Sequence, residues 1–423
     1  MTTGSSILRT EVREQLAQIK RADIVVGIPS YNSARTIGHV VRAVQAGLAK
    51  YFPWHKAIII NSDGGSSDGT TAVVQQAAVE NFDAILLHHR VTPIAKLAFS
   101  YAGIPGKGSA FRTVFEIARA LNAKACVVVD SDLRSITPEW IELLVKPVLD
   151  GGFDYVSPLY HRHKFDGTIT NSIVYPLTRA LYGKRVRQPI GGDFGFSGKL
   201  AEFYLTKDVW ESDVARFGID IWMTTTALAN GFSIAQSFLG AKIHDAKDPG
   251  ADLSDMLYQV ISAAFNLLEE YPDVWMPIRG SEAVDTFGFE YSVGLEHVNV
   301  NTARMLRVFR EGLLNLREIW LAILGSGDLR EVERLAALDD TAFRFPRALW
   351  TRIVYDYAIA FHLKKLPASH LIKSLTPLYI GKTASFVMEA ANMEAPEAEA
   401  EIEKLCLEFE NEKDYLTTNW KRP

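Results

Sequence analysis

With 423 residues the chain is long enough for two domains, or for one large domain carrying an appendage. A composition of 48% hydrophobic and 22% charged residues excludes global disorder and allows a large packed core. The formal charge of -5 argues against a general polyanion binder, so no nucleic-acid partner is expected.

In chain order, the first 21 residues carry charges through much of their length and lack the apolar core of a signal peptide. Within them Ile7, Leu8, Val12, Leu16 and Ile19 fall at near-helical spacing and predict an amphipathic helix packed on the body. Ile24 to Pro29 is a short apolar run closed by a turn signal, which predicts a buried strand. A helix is expected from about Ala34 to Ala49, then a second strand at Ala57 to Ile60, closed by the Gly/Ser-rich loop Asp63 to Gly69. A strand at Ala84 to Leu87, a helix from about Ser109 to Leu121 and a strand at Ala125 to Val129 continue the alternation. Such alternation implies a mostly parallel sheet with helices on both faces, with functional loops at the carboxyl ends of the strands.

Beyond about Gly250 the strand signals fade, and Leu253 to Trp420 reads as helical, with segments at Met256 to Glu270, Asn301 to Leu324, Arg347 to Leu363 and Pro396 to Asn411. The expected partition is an N-terminal helix over 1–21, an α/β catalytic domain over 22–252 and a helical region over 253–423. No stretch reaches the roughly 18 consecutive apolar residues of a membrane span, so a soluble protein is expected, with membrane contact at most peripheral. Cys126 and Cys406 stand far apart without metal-ligand spacing, which fits a reducing, cytoplasmic setting.

The strongest chemical signal is Val127-Val128-Val129-Asp130-Ser131-Asp132. Residues two apart on an extended chain share a face, so Asp130 and Asp132 can point towards one ligand site. Two hard oxygen ligands with open positions suit Mg²⁺ or Mn²⁺ shared with phosphate oxygens. The alternative is an Asp-rich turn leading to the helix that opens near Thr137. Asp63, opening the loop after the second strand, can accept hydrogen bonds from a base or ribose, or that loop can simply cap a helix at Ser67 or Asp68. Pro29-Ser30-Tyr31-Asn32 ends the first strand and could sandwich a base beside Tyr31; an ordinary Pro/Asn turn is the other reading. Pro105-Gly106-Lys107-Gly108 opens a helix, where backbone amides and a cation suit a phosphate group, as would a plain Gly-rich turn.

Together these motifs resemble the GT-A glycosyltransferases related to family 2. Continuing through Gln188-Pro189-Ile190-Gly191-Gly192-Asp193, Gly218-Ile219-Asp220 and Ala241-Lys242-Ile243-His244, their order is similar to that of the mannosylglycerate, glucosylglycerate and glucosyl-3-phosphoglycerate synthases. The resemblance covers about residues 22 to 270. It implies a GT-A fold with a helical C-terminal region, and a hexosyltransferase drawing on a UDP- or GDP-hexose. It further implies that Asp132 and His244 hold a divalent metal, Mg²⁺ or Mn²⁺. Pro29, Tyr31, Asn32, Asp63, Gly106, Lys107, Asp130, Ser131, Gly191 and Gly192 are then donor-binding, and Asp220, Asp130 and Lys107 catalytic. Arg162, His163, Lys164, Thr168 and Thr170 match the region that holds a small hydroxy-acid acceptor such as glycerate or 3-phosphoglycerate, a solvated basic loop being the structural alternative. The relatives retain anomeric configuration and are dimers, so retention and a homodimer are expected. Ser33 and Gly64 depart from the usual pattern and leave the base, guanine or uracil, open. The alternative function is a peripheral membrane glycosyltransferase with a lipid-linked or other glycan acceptor.

Overall fold

The computed structural model describes residues 6–77, 95–100 (backbone), 106–243, 254–290, 298 and 300–421. It divides into two compact units. One comprises Met1–His161, Val186–Asp245 and Val284–Gly294; the other comprises Arg162–Arg185, Ala246–Ala283 and Leu295–Pro423. These bounds do not coincide with linear cuts at residues 22 and 253. The N-terminal helix, Thr10–Ile19, belongs to the first unit, where Leu8, Val12 and Leu16 are buried and Glu116 accepts from the Ser6 hydroxyl.

The first unit is built on one eight-stranded sheet: β1 (Ile24–Ser30), β2 (Ala57–Asp63), β3 (Ala95–Ser100), β4 (Ala125–Val128), β5 (Tyr155–His161), β6 (Phe194–Ser197), β7 (Ile234–Ala241) and β8 (Asp285–Phe287). Their order is β3-β2-β1-β4-β6-β5-β7-β8. All neighbours are parallel except β6, which runs antiparallel to both β4 and β5. The strand expected at Ala84 to Leu87 lies outside the described residues.

Burial on both faces explains why β1, β2 and β4 read as unbroken apolar runs. Ile24, Val26 and Ile28 pack with Val40, Val41 and Val44 of the helix Ile37–Tyr51, and with Trp140, Ile141 and Leu144 of the helix Pro138–Leu149. Burying each such side chain contributes about 1.5–3 kcal/mol. On the other face, a Cβ at Gly27 would stand 2.4 Å from Val114 of the helix Lys107–Ala120, so only glycine lets that helix approach.

The second unit is helical. It contains the helices Ser254–Glu270, Arg347–His362, Thr376–Glu389 and Ala395–Asn411, and buries the side chains of Trp275, Trp320 and Trp350. The helical segment Thr302–Ala336 folds back on itself at Gly325 (φ 73), so that Arg317 pairs with Glu333 at 2.8 Å. The fully buried Arg179 donates to both oxygens of Glu403 (2.5 and 2.8 Å) and to Glu410 (2.6 Å). No helix among the described residues is long and apolar enough to cross a membrane.

Candidate active site

The sheet order turns back between β1 and β4, the switch point where sheets of this kind commonly place a ligand site. Three loops are tied together at that edge. The Ser33 hydroxyl meets the Ser131 hydroxyl at 2.8 Å, and Thr36 Oγ1 donates to the Ser131 carbonyl at 2.8 Å. Asn32, at φ 48, donates its amide to Ser66 Oγ and accepts from the Ser67 amide. Beside it Tyr31 is 67% exposed, and Pro29 is half-buried within β1.

Asp63 is buried at the end of β2, and its carboxylate is taken up by this framework. It accepts from Ser30 Oγ (2.9 Å), Ser66 Oγ (2.6 Å) and the amides of Gly65 (3.0 Å) and Ser66 (2.8 Å). A carboxylate offers about four acceptor positions, so a ligand donor reaching Asp63 would have to displace one of these. Asp68 caps the helix Thr70–Ala77 by accepting from the Thr70 amide at 3.1 Å, as the capping alternative for this loop anticipated.

At the end of β4 lies a buried charge cluster. Asp130 Oδ1 meets Lys107 at 2.9 Å, and its Oδ2 meets Lys242 at 2.7 Å. Lys107 also reaches Asp220 Oδ2 at 3.1 Å. Lys242, directly following β7, donates to Asp193 Oδ2 (2.8 Å) and the Gly191 carbonyl (2.8 Å) as well. Asp193 immediately precedes β6; because β6 is antiparallel to β4 and pairs Phe194 with Val128, its start faces the end of β4. There Asp193 Oδ1 accepts the Asp130 amide at 2.7 Å, and Oδ2 accepts the Tyr160 hydroxyl.

Burial pushes the Asp130 carboxyl upward, but the ammonium groups of Lys107 and Lys242 outweigh it and hold Asp130 well below the usual range. Burial pulls Lys107 down, yet Asp130 and Asp220 more than reverse it. For Asp220 burial dominates and the carboxyl titrates above its ordinary value, with Lys107 only partly compensating. Asp220 sits in the first turn of the helix Ile219–Ala229, and its Oδ1 is buried without a hydrogen-bond partner among the described residues.

The glycines of this edge serve close packing. A Cβ at Gly192 (φ +89) would stand 2.3 Å from Asp130 Oδ2, and one at Gly191 would stand 2.3 Å from Pro158. Gly106 and Gly108 press against the backbone of Val214 to Arg216, where a Cβ would lie 2.4 Å from the Ala215 carbonyl and 1.9 Å from that of Val214. What the Pro-Gly-Lys-Gly segment presents to the cluster is the Lys107 side chain.

A family model for the glycosyltransferase (GT) domain of mannosylglycerate synthase matches residues 37–266, more than half of the chain. The chain belongs to this family. It carries the GT-A glycosyltransferase fold expected from its motifs. A curated relative, glycosyltransferase AglD of Haloferax volcanii, is 29% identical over 145 residues, 34% of this chain but only 21% of that protein's length. Among solved structures the chain is similar to glucosyl-3-phosphoglycerate synthase from Mycobacterium tuberculosis in complex with Mg²⁺ and UDP. The identity is 22%, the TM-score 0.44, and the match covers 64% of this chain and 84% of the other. It is likewise similar to that enzyme with Mn²⁺, UDP-glucose and phosphoglyceric acid, at 22% identity, TM-score 0.44, 64% of this chain and 86% of the other.

Of the two metal ligands expected from the sequence, Asp132 is exposed, and it has no hydrogen bond or ion pair among the described residues. His244 lies outside the described residues. Its neighbour Ile243 is bound twice to the loop after Asp132, accepting from the Arg134 amide at 2.9 Å and donating to Ser135 Oγ at 2.9 Å. Among the described residues no three His, Cys, Asp or Glu side chains converge as a metal site. The donor set at hand, a carboxylate with open oxygens at a strand end, fits a hard divalent cation that takes its remaining ligands from phosphate.

The residues expected to hold an acceptor fall in the second unit. Arg162 pairs with Asp166 at 3.5 Å, and His163 Nδ1 accepts the Phe165 amide. Lys164 donates to the carbonyls of Ala391 (3.0 Å) and Met393 (2.7 Å), just beyond the helix Thr376–Glu389. Thr168 shares a hydrogen bond with the Tyr379 hydroxyl at 2.5 Å, and Thr170 is buried at the start of a π-helical turn. Lys164 and Thr168 are therefore engaged within their own unit.

Asp193, Lys242 and Tyr160 were missing from the residues singled out by sequence. The first two lie inside quoted motifs, and their proximity to Asp130 was the absent information. Tyr160 stands where the β5–β7 register shifts between Leu159 and Tyr160, a local irregularity with no sequence signal beyond Gly240 (φ 78) opposite.

Proposed function

We propose that this chain is a metal-dependent hexosyltransferase that moves glucose or mannose from a UDP- or GDP-sugar to a small hydroxy acid, such as glycerate or 3-phosphoglycerate, with retention of configuration. The observation that carries this reading is the pairing of Lys107 with Asp220 at the carboxyl edge of the sheet, in a chain of this family. An ammonium suited to a diphosphate stands beside a buried carboxylate oxygen that no described protein group satisfies. Such an oxygen suits a sugar or acceptor hydroxyl.

Asp132, with His244 as the second expected ligand, would hold a divalent cation, which when bound supplies positive charge at the departing diphosphate. Lys107 adds charge on the same group, and the fixed ammonium costs no reorganisation as the leaving group develops. The bond from the anomeric carbon to the diphosphate breaks as the bond to the acceptor oxygen forms on the same face. The acceptor proton passes to the departing phosphate. Asp220 then orients a hydroxyl; in an inverting enzyme it would remove that proton instead.

The test is a panel of UDP-glucose, GDP-glucose and GDP-mannose against D-glycerate and 3-phosphoglycerate, with products read by NMR. An α-glycoside of one acceptor is the expected product. A β-glycoside overturns retention, and no transfer to either acceptor overturns the acceptor class.

A further inference from the structure

We infer that Asp193 is a positioning residue for this site, acting through Lys242 and the backbone of Asp130, and that it divides the labour between the two lysines. The inference rests on the functional reading above. Asp193 is 0% exposed and so cannot itself meet a substrate. Its two oxygens do different work: Oδ1 takes the Asp130 amide at 2.7 Å, fixing the backbone at the end of β4. Oδ2 takes the Lys242 ammonium at 2.8 Å and the Tyr160 hydroxyl.

Lys242 thereby spends all three ammonium hydrogens, on Asp193 Oδ2, Asp130 Oδ2 (2.7 Å) and the Gly191 carbonyl (2.8 Å). It is a strut joining the ends of β4 and β7 to the loop before β6, with no donor left for a ligand. Among the described residues Lys107 bonds two acceptors, Asp130 Oδ1 and Asp220 Oδ2, which leaves one donor for a phosphate oxygen. Three carboxylates (Asp130, Asp193, Asp220) against two ammonium groups leave the cluster one negative charge when all are ionised. Lys242 bridges Asp130 and Asp193 and offsets one of their two negative charges. Without Asp193, Lys242 and the Asp130 amide each lose a partner, so the carboxylate that aims Lys107 keeps its lysines but loses the anchors that fix its position.

The experiment compares Asp193→Asn, Lys242→Met and the double variant in the full-length protein, with the donor and acceptor that the product panel identifies. The single variants should lose about 10–100-fold in kcat while donor KM moves by less than about threefold, the size of effect seen when a supporting partner of a site is removed. The double variant should be no slower than the slower single one, because both act through one link. Calorimetric binding of the bare nucleoside, which lacks the diphosphate that Lys107 meets, should be unchanged, a readout that general loss of structure would not spare. An Asp193→Asn enzyme with wild-type kcat, or losses that multiply in the double variant, overturns the inference. If Asp193→Asn does not fold, Tyr160→Phe decides. It removes one donor to the same oxygen and leaves both lysines in place, so a lowered kcat supports the inference and an unchanged one overturns it. A wild-type protein with no transferase activity would instead sink the functional reading itself.

Discussion

The Lys107 ammonium stands 3.1 Å from Oδ2 of Asp220, while Oδ1 of the same carboxylate is buried and takes no hydrogen bond from any described residue. Asp220→Asn keeps the shape and removes the charge, and kcat is expected to fall by about 100-fold, as for a positioned acid or electrostatic group. Lys107→Met should fall comparably. Neither should unfold the protein, since each removes a buried charge whose partner retains other contacts or approaches neutrality. Steady-state kinetics check this, and near-wild-type kcat in both would remove the pair from the chemistry.

Gly192→Ala should damage the site from the backbone side. The new methyl would stand 2.3 Å from Asp130 Oδ2 at a residue whose φ is +89, so strain and collision act together. A destabilisation of about 1–3 kcal/mol is expected, and activity should fall further than the melting temperature implies, because the atom displaced belongs to Asp130. Thermal unfolding and kcat on the same preparation separate the two effects.

Metal dependence has its own signature. Chelation should abolish turnover and Mn²⁺ or Mg²⁺ restore it, whereas Asp132→Ala should resist rescue. Because Asp132 is exposed and unpaired among the described residues, that variant should unfold within about 0.5 kcal/mol of wild type. Turnover that survives exhaustive chelation would refute the dependence.

The helical unit carries a pH response independent of the active site. Burial raises the Asp356 carboxyl from 3.8 to about 7, outweighing a 2.5 Å hydrogen bond from the Tyr415 hydroxyl, and Oδ2 has no partner among the described residues. Asp328, Lys365 and Arg352 are the other charges acting on it. Between those two values the folded protein keeps a proton that the unfolded chain has released. This contribution to stability is therefore greatest below 3.8, falls as pH rises, and levels off above about 7. The loss amounts to a few kcal/mol at about 1.4 kcal/mol per pKa unit. Asp356→Asn should flatten it, leaving the variant the more stable protein at pH 8. Denaturant unfolding at pH 5 and pH 8 measures the slope.

How much was legible follows from how each feature is encoded. β1, β2 and β4 announce themselves because strands covered on both faces need continuous apolar residues. The helix Arg347–His362 ends within one residue of expectation, its proline start being a local signal. β8 (Asp285–Phe287) is three residues long and largely exposed, so neither periodicity nor hydrophobicity marks it. The helix expected from Asn301 to Leu324 stops one residue before the fold-back at Gly325, where glycine supplies the break; the helix that follows carried no separate signal. In the candidate site, Asp130, Lys107 and Asp220 were singled out because each lies in a short motif, and the structure places the three side chains together. Asp193 reaches Lys242 across 49 residues of sequence and Asp130 across 63, and only the antiparallel insertion of β6 brings them together.

The chain passes between its two units five times. A polypeptide ended at residue 252 would lack β8, and one ended at 294 would retain Arg179 without either of its acids. Glu403 and Glu410 leave the ribosome 224 and 231 residues after the arginine they neutralise. The excursion between β5 and β6 thus emerges early and waits, its cation hydrated rather than paired, until synthesis is almost complete.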